Sequence, residues 1–165
     1  MRRINDELLD MANDGSGDAL FEGALFTGIA VEHLPTGELV SEVAHRDGKR
    51  HGPSREWFSN GKLETEQYFR LGARHGTWRE WDKQGALTRD DIWEYFVPVF
   101  RRDPKAQSTP EDGTSVLASE PGTRKRWQQV RARCGPEPVT ELVDDEFVDM
   151  PWPFDDRLPE ELRTE

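Results

Sequence analysis

The side chains of this sequence that could bind a metal or act as acid and base are four histidines and several regularly spaced glutamates. His51 and His75 stand 24 residues apart, each at the start of a similar phrase, "HGPSREWFSNGK" and "HGTWREWDKQGA". This spacing follows a repeat of the chain, and the ligand spacings typical of zinc sites are missing. We therefore predict neither a metal site nor a cofactor, and we place His33 and His45 on the inward face of a sheet.

Glu56 and Glu80 share the same 24-residue spacing and could be taken for a catalytic pair of carboxylates. On strands stacked in register they would instead form a row on a solvated face, whereas catalysis needs carboxylates of perturbed pKa in a closed pocket. The sequence also has no nucleophile elbow, no phosphate-binding glycine loop and no HExxH motif. We predict no catalytic residues and no enzymatic activity.

The elements that must position these side chains follow from the repeat itself. Three rows begin at Gly28, Gly52 and Gly76, and each divides into a strand, a glycine turn, a second strand and a second turn. Glycine recurs in such turns because they require a positive φ, which a Cβ atom disfavours. The pattern predicts an all-β fold, an elongated antiparallel sheet of repeated 24-residue β-hairpins over residues 20–97. The third row has no closing glycine after Trp93, which predicts that the array ends there.

The first turn of each row decides which side chains share a face of the sheet. A two-residue type I′ turn would place Phe58 opposite Leu63. A three-residue loop that ends in a bulge at Gly61 would place Trp57 there instead. We choose the bulge because it separates apolar from charged residues more cleanly. The predicted apolar face then holds Arg55, Trp57, Leu63, Thr65, Gln67 and Phe69, with Val31, His33, Leu39, Val43, His45, Trp81, Leu87 and Trp93 from the other rows. The predicted charged face holds Glu32, Glu56, Glu64, Glu66 and Glu80, together with Tyr68 and Trp78.

The repeat resembles a variant of the MORN repeat found in bacterial YwqK-like antitoxin proteins. The residues that carry the resemblance are Gly52, Glu56, Trp57, Gly61, Leu63, Glu66, Gly72 and Gly76, with counterparts one unit away on either side. The similarity covers roughly residues 20–93, and it implies a protein that binds and silences a cognate toxin. His33 and Asp82 depart from the pattern, since other rows have an aromatic or aliphatic residue at these positions.

The rest of the chain divides by composition. Residues 1–19 form an N-terminal segment, and residues 98–122, rich in Pro, Ser, Thr and Gly, are typical of a linker. Residues 123–135 carry five positive charges and predict a short helix, with Thr123 as N-cap and Gly135 as its end. Residues 136–165 form an acidic tail that either stays disordered until it meets a partner or folds back along the array. In the second case Trp152 and Phe154 would fill an apolar groove beside the basic helix.

The charge and cysteine content indicate which partners and compartments suit the chain. A net charge of −11 at pH 7 disfavours nucleic acids and anionic membranes, and suits a basic protein partner. We assign the basic run between Arg124 and Arg133 to neutralisation by the acidic tail. Cys134 is the single cysteine, and neither a signal peptide nor a long apolar run is present, so we expect a cytoplasmic protein.

These observations favour a non-catalytic protein-binding repeat protein that acts as an antitoxin or immunity protein and occludes a toxin. The expected partner is a basic toxin. Aromatic anchors amid charged residues are typical of partner-binding surfaces. The predicted contact residues are Glu56, Tyr68, Trp78, Glu80, Trp152 and Phe154. The alternative is a MORN-type scaffold or membrane-associated protein without a toxin partner. Open sheet edges leave the oligomeric state undetermined.

Overall fold

The computed structural model of the protein describes residues 1–104, 114–116, 121–135 and 137–152. Phe154 therefore lies outside the described residues. The elements in chain order are β1 (Arg3–Asn5), a 3-10 turn (Asp6–Leu8), β2 (Leu9–Met11), β3 (Ala19–Phe21), β4 (Ala24–Leu25), β5 (Gly28–His33), β6 (Leu39–Arg46), β7 (Lys49–Trp57), β8 (Leu63–Arg70), β9 (Ala73–Trp81), β10 (Leu87–Glu94), β11 (Val97–Arg102), β12 (Thr114–Val116), α1 (Pro121–Cys134), β13 (Val139–Val143) and β14 (Glu146–Met150).

The predicted elongated β-hairpin sheet is confirmed. Nine strands form one sheet in the order β1-β5-β6-β7-β8-β9-β10-β11-β12, so that strands β5 to β12 follow chain order. All neighbours are antiparallel except β1, which pairs with β5 in parallel. Because each hairpin pairs mainly with the hairpins before and after it, the sheet extends in one direction as a repeat array does.

The first turn of every repeat has the same geometry. Gly37, Gly61 and Gly85 adopt positive φ values of 98°, 77° and 90°. The N–H of each donates to the carbonyl three residues earlier, at 2.8, 2.9 and 2.8 Å. Trp57 faces Leu63, which confirms the three-residue loop that ends in a glycine bulge. In the third repeat the Asp82 carboxylate accepts two N–H bonds of its own turn, both at 2.9 Å, so this departure from the pattern stabilises the loop.

A second bulge, at Glu64 in β8, makes part of the predicted face assignment wrong. Trp57 faces Leu63, but Thr65 faces Glu56, so one residue of β8 is left without an opposite neighbour. Since each skipped residue moves the following side chains to the other face, Arg55 lies opposite Glu66 instead of Thr65. The same shift occurs 24 residues earlier and later, at Val40 and Thr88.

The two faces of the sheet can therefore be named by what they carry. The paired-charge face presents one cross-strand row of alternating charge over strands β6 to β11. Its members are Glu42, Arg55, Glu66, Arg79, Asp90 and Arg102. Ion pairs of 2.9 to 3.8 Å join Arg55 to Glu42 and Glu66, and Asp90 to Arg79 and Arg102. The opposite side, the glutamate face, carries the row Glu32, Ser41, Glu56, Thr65 and Glu80.

The sheet continues past the point where the sequence places its end. The second turns of the repeats are Asp47-Gly48, Leu71-Gly72 and Tyr95-Phe96, and all six residues have positive φ. Phe96 thus takes the place of the missing glycine, and β11 pairs with β10 beyond it. Residues 98–102, placed in the linker by the sequence analysis, belong to the sheet, as does β12.

The C-terminal part of the chain covers the paired-charge face. The β13–β14 hairpin packs across β7 and β8, so residues 137–152 have the folded-back arrangement. Helix α1 begins at Pro121, two residues before the predicted N-cap, and ends where Gly135 donates its N–H to the Arg131 carbonyl at 2.8 Å. Its fully buried Trp127 packs on Val97, Val99 and Phe100 of β11 and on Ile92. At the other end, β2, β3 and β4 form a small separate sheet whose core includes Ala19, Phe26 and Ala30.

Candidate partner-binding surface

Glu56 and Glu80 lie in one row on the same face, as predicted, whereas Glu66, which was predicted to share that face, lies on the paired-charge face. Glu56 and Glu80 both lie opposite Thr65 of β8, one on each side of it. Glu56 is exposed, and the carboxylate of Glu80 lies 3.5 Å from the guanidinium of Arg89. Because hydroxyl side chains separate the glutamates, the row spreads its negative charge over strands β5 to β9 and forms no close carboxylate pair.

An arginine–tryptophan cluster lies beside this row on the glutamate face. The guanidinium carbons of Arg74 and Arg89 lie 3.9 and 3.7 Å from the ring centroid of Trp78. The ring centroid of Trp93 lies 5.6 Å from that of Trp78 and 5.3 Å from the guanidinium carbon of Arg74. Each such cation–π contact contributes about 0.5–2 kcal/mol, depending on its exposure to water. The cluster is thus a half-buried group of two rings and two guanidinium groups.

Trp93 belongs to this cluster because of the bulges. The sequence analysis placed it on one face with Trp57 and Trp81, but Trp93 faces Gly76, two residues from Trp78 on the same strand. Thr88 has no opposite residue on β9, so the side chains of β10 that follow it point to the other face than the predicted register would give. The prediction that Trp93 lies with the other tryptophans is therefore wrong.

The arginines of this cluster are close enough to influence one another. Burial, and then the neighbouring guanidinium groups of Arg89 and Arg50, lower the pKa of Arg74. A guanidinium still remains charged at neutral pH. Of the three guanidinium groups, that of Arg89 pairs with the carboxylates of Asp91 at 2.8 Å and Glu80 at 3.5 Å.

Tyr68 and Trp152 lie on the other side of the sheet from Trp78. Gln67 faces Trp78, so Tyr68, the next residue of β8, points to the paired-charge face. There it is 8% exposed and donates to Glu141 of β13 at 3.0 Å, and burial together with Glu66 and Glu141 raises its pKa. Helix α1 and residues 137–152 together form the C-terminal cover, and at its end the ring centroid of Trp152 lies 4.8 Å from that of His75. The placement of Tyr68 beside Trp78 on one charged face is wrong, and both Tyr68 and Trp152 hold the cover in place.

His51 and His75 lie where the C-terminal cover contacts the sheet, and each has 1% of its surface exposed. The N–H of Leu71 donates to Nδ1 of His51 at 3.3 Å, so Nε2 carries the proton and donates to the Thr140 hydroxyl at 3.0 Å. His75 donates from Nε2 to the carbonyl of Glu137 at 3.0 Å. Burial, with Arg70 nearby, lowers the pKa of both imidazoles to about 4. Both rings are therefore neutral at pH 7.

A repeated bulge explains the burial of these histidines. Val43 pairs with Ser54 and His45 with Arg50, so three residues of β7 face the single residue between them on β6. Gly52 and Gly76, the bulge glycines, have φ values of 87° and 117°. The bulge at each His-Gly dipeptide thus directs the imidazole towards the C-terminal cover.

A half-open cleft of about 610 Å³ lies between the N-terminal sheet and the glutamate face. Arg50 and His45 are among its lining residues, and burial lowers the pKa of His45. Its apolar lining includes Leu9, Met11, Val43, Leu71, Ala73 and Phe96. Nothing in the sequence analysis predicted this cleft, because it depends on where the N-terminal strands pack.

The arginines also went unnoticed in the sequence, although a signal was present. Arg50 and Arg74 precede the two His-Gly dipeptides, so the repeated phrase is Arg-His-Gly and not His-Gly alone. Among the described residues, no group of three His, Cys, Asp or Glu side chains is arranged to hold a metal ion. No helix within the described part of the chain is long and apolar enough to cross a membrane.

Comparisons with protein-family models, with curated proteins and with solved structures found no match to this chain.

Proposed function

We propose that this protein is a non-catalytic binding protein of the antitoxin or immunity type, which silences a partner protein by covering it with the glutamate face. The observation that supports this most is the arginine–tryptophan cluster. Trp78 and Trp93 lie half-buried on strands β9 and β10, on the face that also carries the exposed side chain of Glu56. Large aromatic rings and arginines in the middle of a charged surface are the usual anchors of protein interfaces.

The sheet supports binding without rearrangement. Both tryptophans lie on central strands with neighbours on each side, and two guanidinium groups lie 3.9 and 3.7 Å from the Trp78 ring centroid. A surface that is already ordered loses little conformational entropy when it binds, so more of the contact energy contributes to affinity. Occlusion of an active site requires only that the covered area includes it, and no reaction is needed.

The charge distribution supports a basic region on the partner. On the paired-charge face Glu42, Glu66 and Asp90 are matched by arginines of neighbouring strands. On the glutamate face, Glu32 and Glu56 form no ion pair with any described residue. They remain available to lysines or arginines of a partner, and a net charge of −11 would speed its approach.

The test is a capture experiment with the full chain from the cells that produce it, followed by co-expression. The variant Glu56→Lys should reduce capture of the partner at least tenfold, as should Trp78→Ala. The matched control is Glu146→Lys, which makes the same charge change at an exposed residue of β14 on the opposite side. Circular dichroism confirms that each variant is folded.

Co-expression then distinguishes silencing from simple binding. The captured protein should stop cell growth when produced alone and should lose this effect in the presence of the full chain, but not of Glu56→Lys. A captured protein without toxicity would refute the antitoxin function. Equal capture by Glu56→Lys, Trp78→Ala and Glu146→Lys would refute the glutamate face as the binding surface.

A further inference from the structure

Arg50 and Arg74 occupy the same position in consecutive repeats and lie on either side of strand β8. Arg74 faces Phe69 of β8, and the guanidinium carbon of Arg50 lies 5.5 Å from the Phe69 ring centroid. Arg50 is exposed and Arg74 half-buried. Since the charge of Arg50 lowers the pKa of Arg74, the two charges share one region of the glutamate face.

These two arginines contrast with those of the paired-charge row. Arg55, Arg79 and Arg102 each form an ion pair with a carboxylate of a neighbouring strand. Neither Arg50 nor Arg74 forms one with any described residue, and both lie over aromatic rings instead. A guanidinium stacked on a ring keeps its N–H groups directed outward in its own plane, where they can donate two parallel hydrogen bonds to a carboxylate.

The 610 Å³ cleft is continuous with this pair, because Arg50 lines it. Three large apolar side chains stand at its walls with more than half of their surface exposed: Met11 at 60%, Leu71 at 57% and Phe96 at 54%. Leu71 and Phe96 do so from left-handed backbone, with φ of 47° and 66°, where glycine or asparagine is the usual residue. Packing within the described structure does not account for apolar side chains at these strained and exposed positions.

The charged residues that line the cleft are Asp6, Asp18, Lys49 and Arg50. Asp18 is neutralised by Lys49 at 2.6 Å, and Asp6 lies on the N-terminal wall. Arg50 lines the cleft, and Arg74 is the equivalent residue of the next repeat. A segment bound in the cleft would therefore contact its apolar walls and lie beside the two guanidinium groups.

We infer that Arg50 and Arg74, with the cleft beside them, bind an acidic segment of a partner protein. Carboxylates of that segment pair with the two guanidinium groups, and a neighbouring apolar side chain enters the cleft between Met11, Leu71 and Phe96. Charge complementarity selects this occupant, because neither arginine forms an ion pair within the described part of the chain and the three apolar side chains of the cleft walls are more than half exposed. The inference goes beyond the proposed function and holds whether or not the partner is a toxin.

The test measures binding of short fluorescent peptides to the full-length protein by anisotropy. One peptide alternates glutamate and leucine, a second replaces glutamate by lysine, and a third replaces leucine by serine. The glutamate–leucine peptide should bind, with an affinity that falls as salt is added, because the contacts with arginine are ionic. The lysine peptide should not bind, and the serine peptide should bind more weakly.

Variants of the protein assign the binding to this site. Arg50→Gln combined with Arg74→Gln should weaken binding of the glutamate–leucine peptide by about tenfold or more. Leu71→Ser should weaken it while leaving the salt dependence unchanged. The matched control is Arg126→Gln, an exposed arginine of helix α1, which should bind as the unmodified protein does.

Several outcomes would overturn the inference. One is failure of the glutamate–leucine peptide to bind the unmodified protein. Another is an equal loss of affinity in Arg126→Gln, which would indicate non-specific attraction. A third is binding to vesicles of anionic phospholipid that Arg50→Gln/Arg74→Gln abolishes while no peptide binds, because the site would then serve a membrane surface.

Discussion

Phe96 occupies in the third repeat the position that Gly72 occupies in the second. Their φ values are 66° and 87°, and their N–H groups donate to the carbonyls of Arg74 and Arg50 at 3.0 and 2.8 Å. Gly48 makes the same bond in the first repeat, to the carbonyl of Phe26 at 2.8 Å. The repeat therefore preserves a hydrogen bond between successive hairpins, and the glycine is only the residue that makes this bond with least strain.

Replacing Phe96 by glycine should stabilise the protein. A side chain in left-handed backbone costs about 1–2 kcal/mol, and part of this gain is offset because glycine has more freedom in the unfolded chain. Phe96 is more than half exposed, so little packing is lost. We expect the free energy of unfolding of Phe96→Gly to rise by about 0.5–1 kcal/mol in urea titrations. The control Phe96→Ala removes the same ring but keeps a Cβ atom, and it should be less stable than Phe96→Gly; the reverse order would contradict this explanation.

The repeat and its first turn could be predicted from sequence because glycine marks them. Each glycine at a fixed spacing signals a positive φ, and from this the pairing of Trp57 with Leu63 and the row through Glu56 and Glu80 both follow. The end of the array was misplaced for the same reason. Phe96 adopts a glycine conformation without being glycine, so no residue type marked the fourth hairpin.

Gly76 should tolerate substitution poorly. A Cβ atom there would lie 2.8 Å from Cβ of Tyr68 and 3.2 Å from Cγ1 of Val139, in addition to the strain of a φ of 117°. We expect Gly76→Ala to lower the free energy of unfolding by about 2–4 kcal/mol. The control is Gly61→Ala, where φ is also positive but a Cβ would have no neighbour within 4 Å, and the loss should be about 1 kcal/mol. Equal losses would mean that contact with Val139 of the C-terminal cover is unimportant.

The face assignment could not be predicted because no residue type marks the second bulge. Its extra residues are Val40, Glu64 and Thr88, which share neither size nor polarity. One unmarked residue inverts the faces of the rest of a strand, and this separated Tyr68 from Trp78. Tyr68 meets Glu141, a contact 73 residues away in the chain, which periodicity within the array does not report.

A buried ion pair should hold helix α1 to the sheet. The Nε of Arg131 lies 2.8 and 3.0 Å from the two carboxylate oxygens of Glu94, which also accepts from the Trp127 indole at 2.7 Å. Arg131→Met removes the positive charge that pairs with this fully buried carboxylate, so we expect a loss of about 3–5 kcal/mol in the free energy of unfolding.

The double variant Glu94→Gln/Arg131→Met distinguishes a charge effect from loss of packing. Glutamine keeps an acceptor for the indole and removes the negative charge, so most of the lost stability should return. Arg133→Met, at an exposed position of the same helix, should leave stability unchanged. A double variant no more stable than Arg131→Met would show that the arginine stem, and not its charge, is what the site needs.

Acidification should destabilise the protein through His51 and His75. Burial lowers the pKa of each from 6.5 to about 4 in the folded state. Between these pH values the unfolded chain binds more protons than the folded chain, so stability falls as the pH is lowered from about 6.5 to about 4 and does not change further through these groups below that. A protonated His51 would also lose the acceptor for the Leu71 N–H, and both rings lie under the C-terminal cover. The melting temperature should therefore drop across this window, with near-ultraviolet circular dichroism reporting the release of Trp152 from His75.

Two variants assign this pH dependence to the buried histidines. His51→Gln combined with His75→Gln cannot be protonated, so its melting temperature should be lower at neutral pH but should change much less between pH 6.5 and 4. His33→Gln is the matched control, because His33 is exposed on β5, and it should retain the full pH dependence. If the double variant lost stability on acidification as steeply as the His33→Gln protein, carboxylates would be responsible and the histidines would have no part in holding the C-terminal cover.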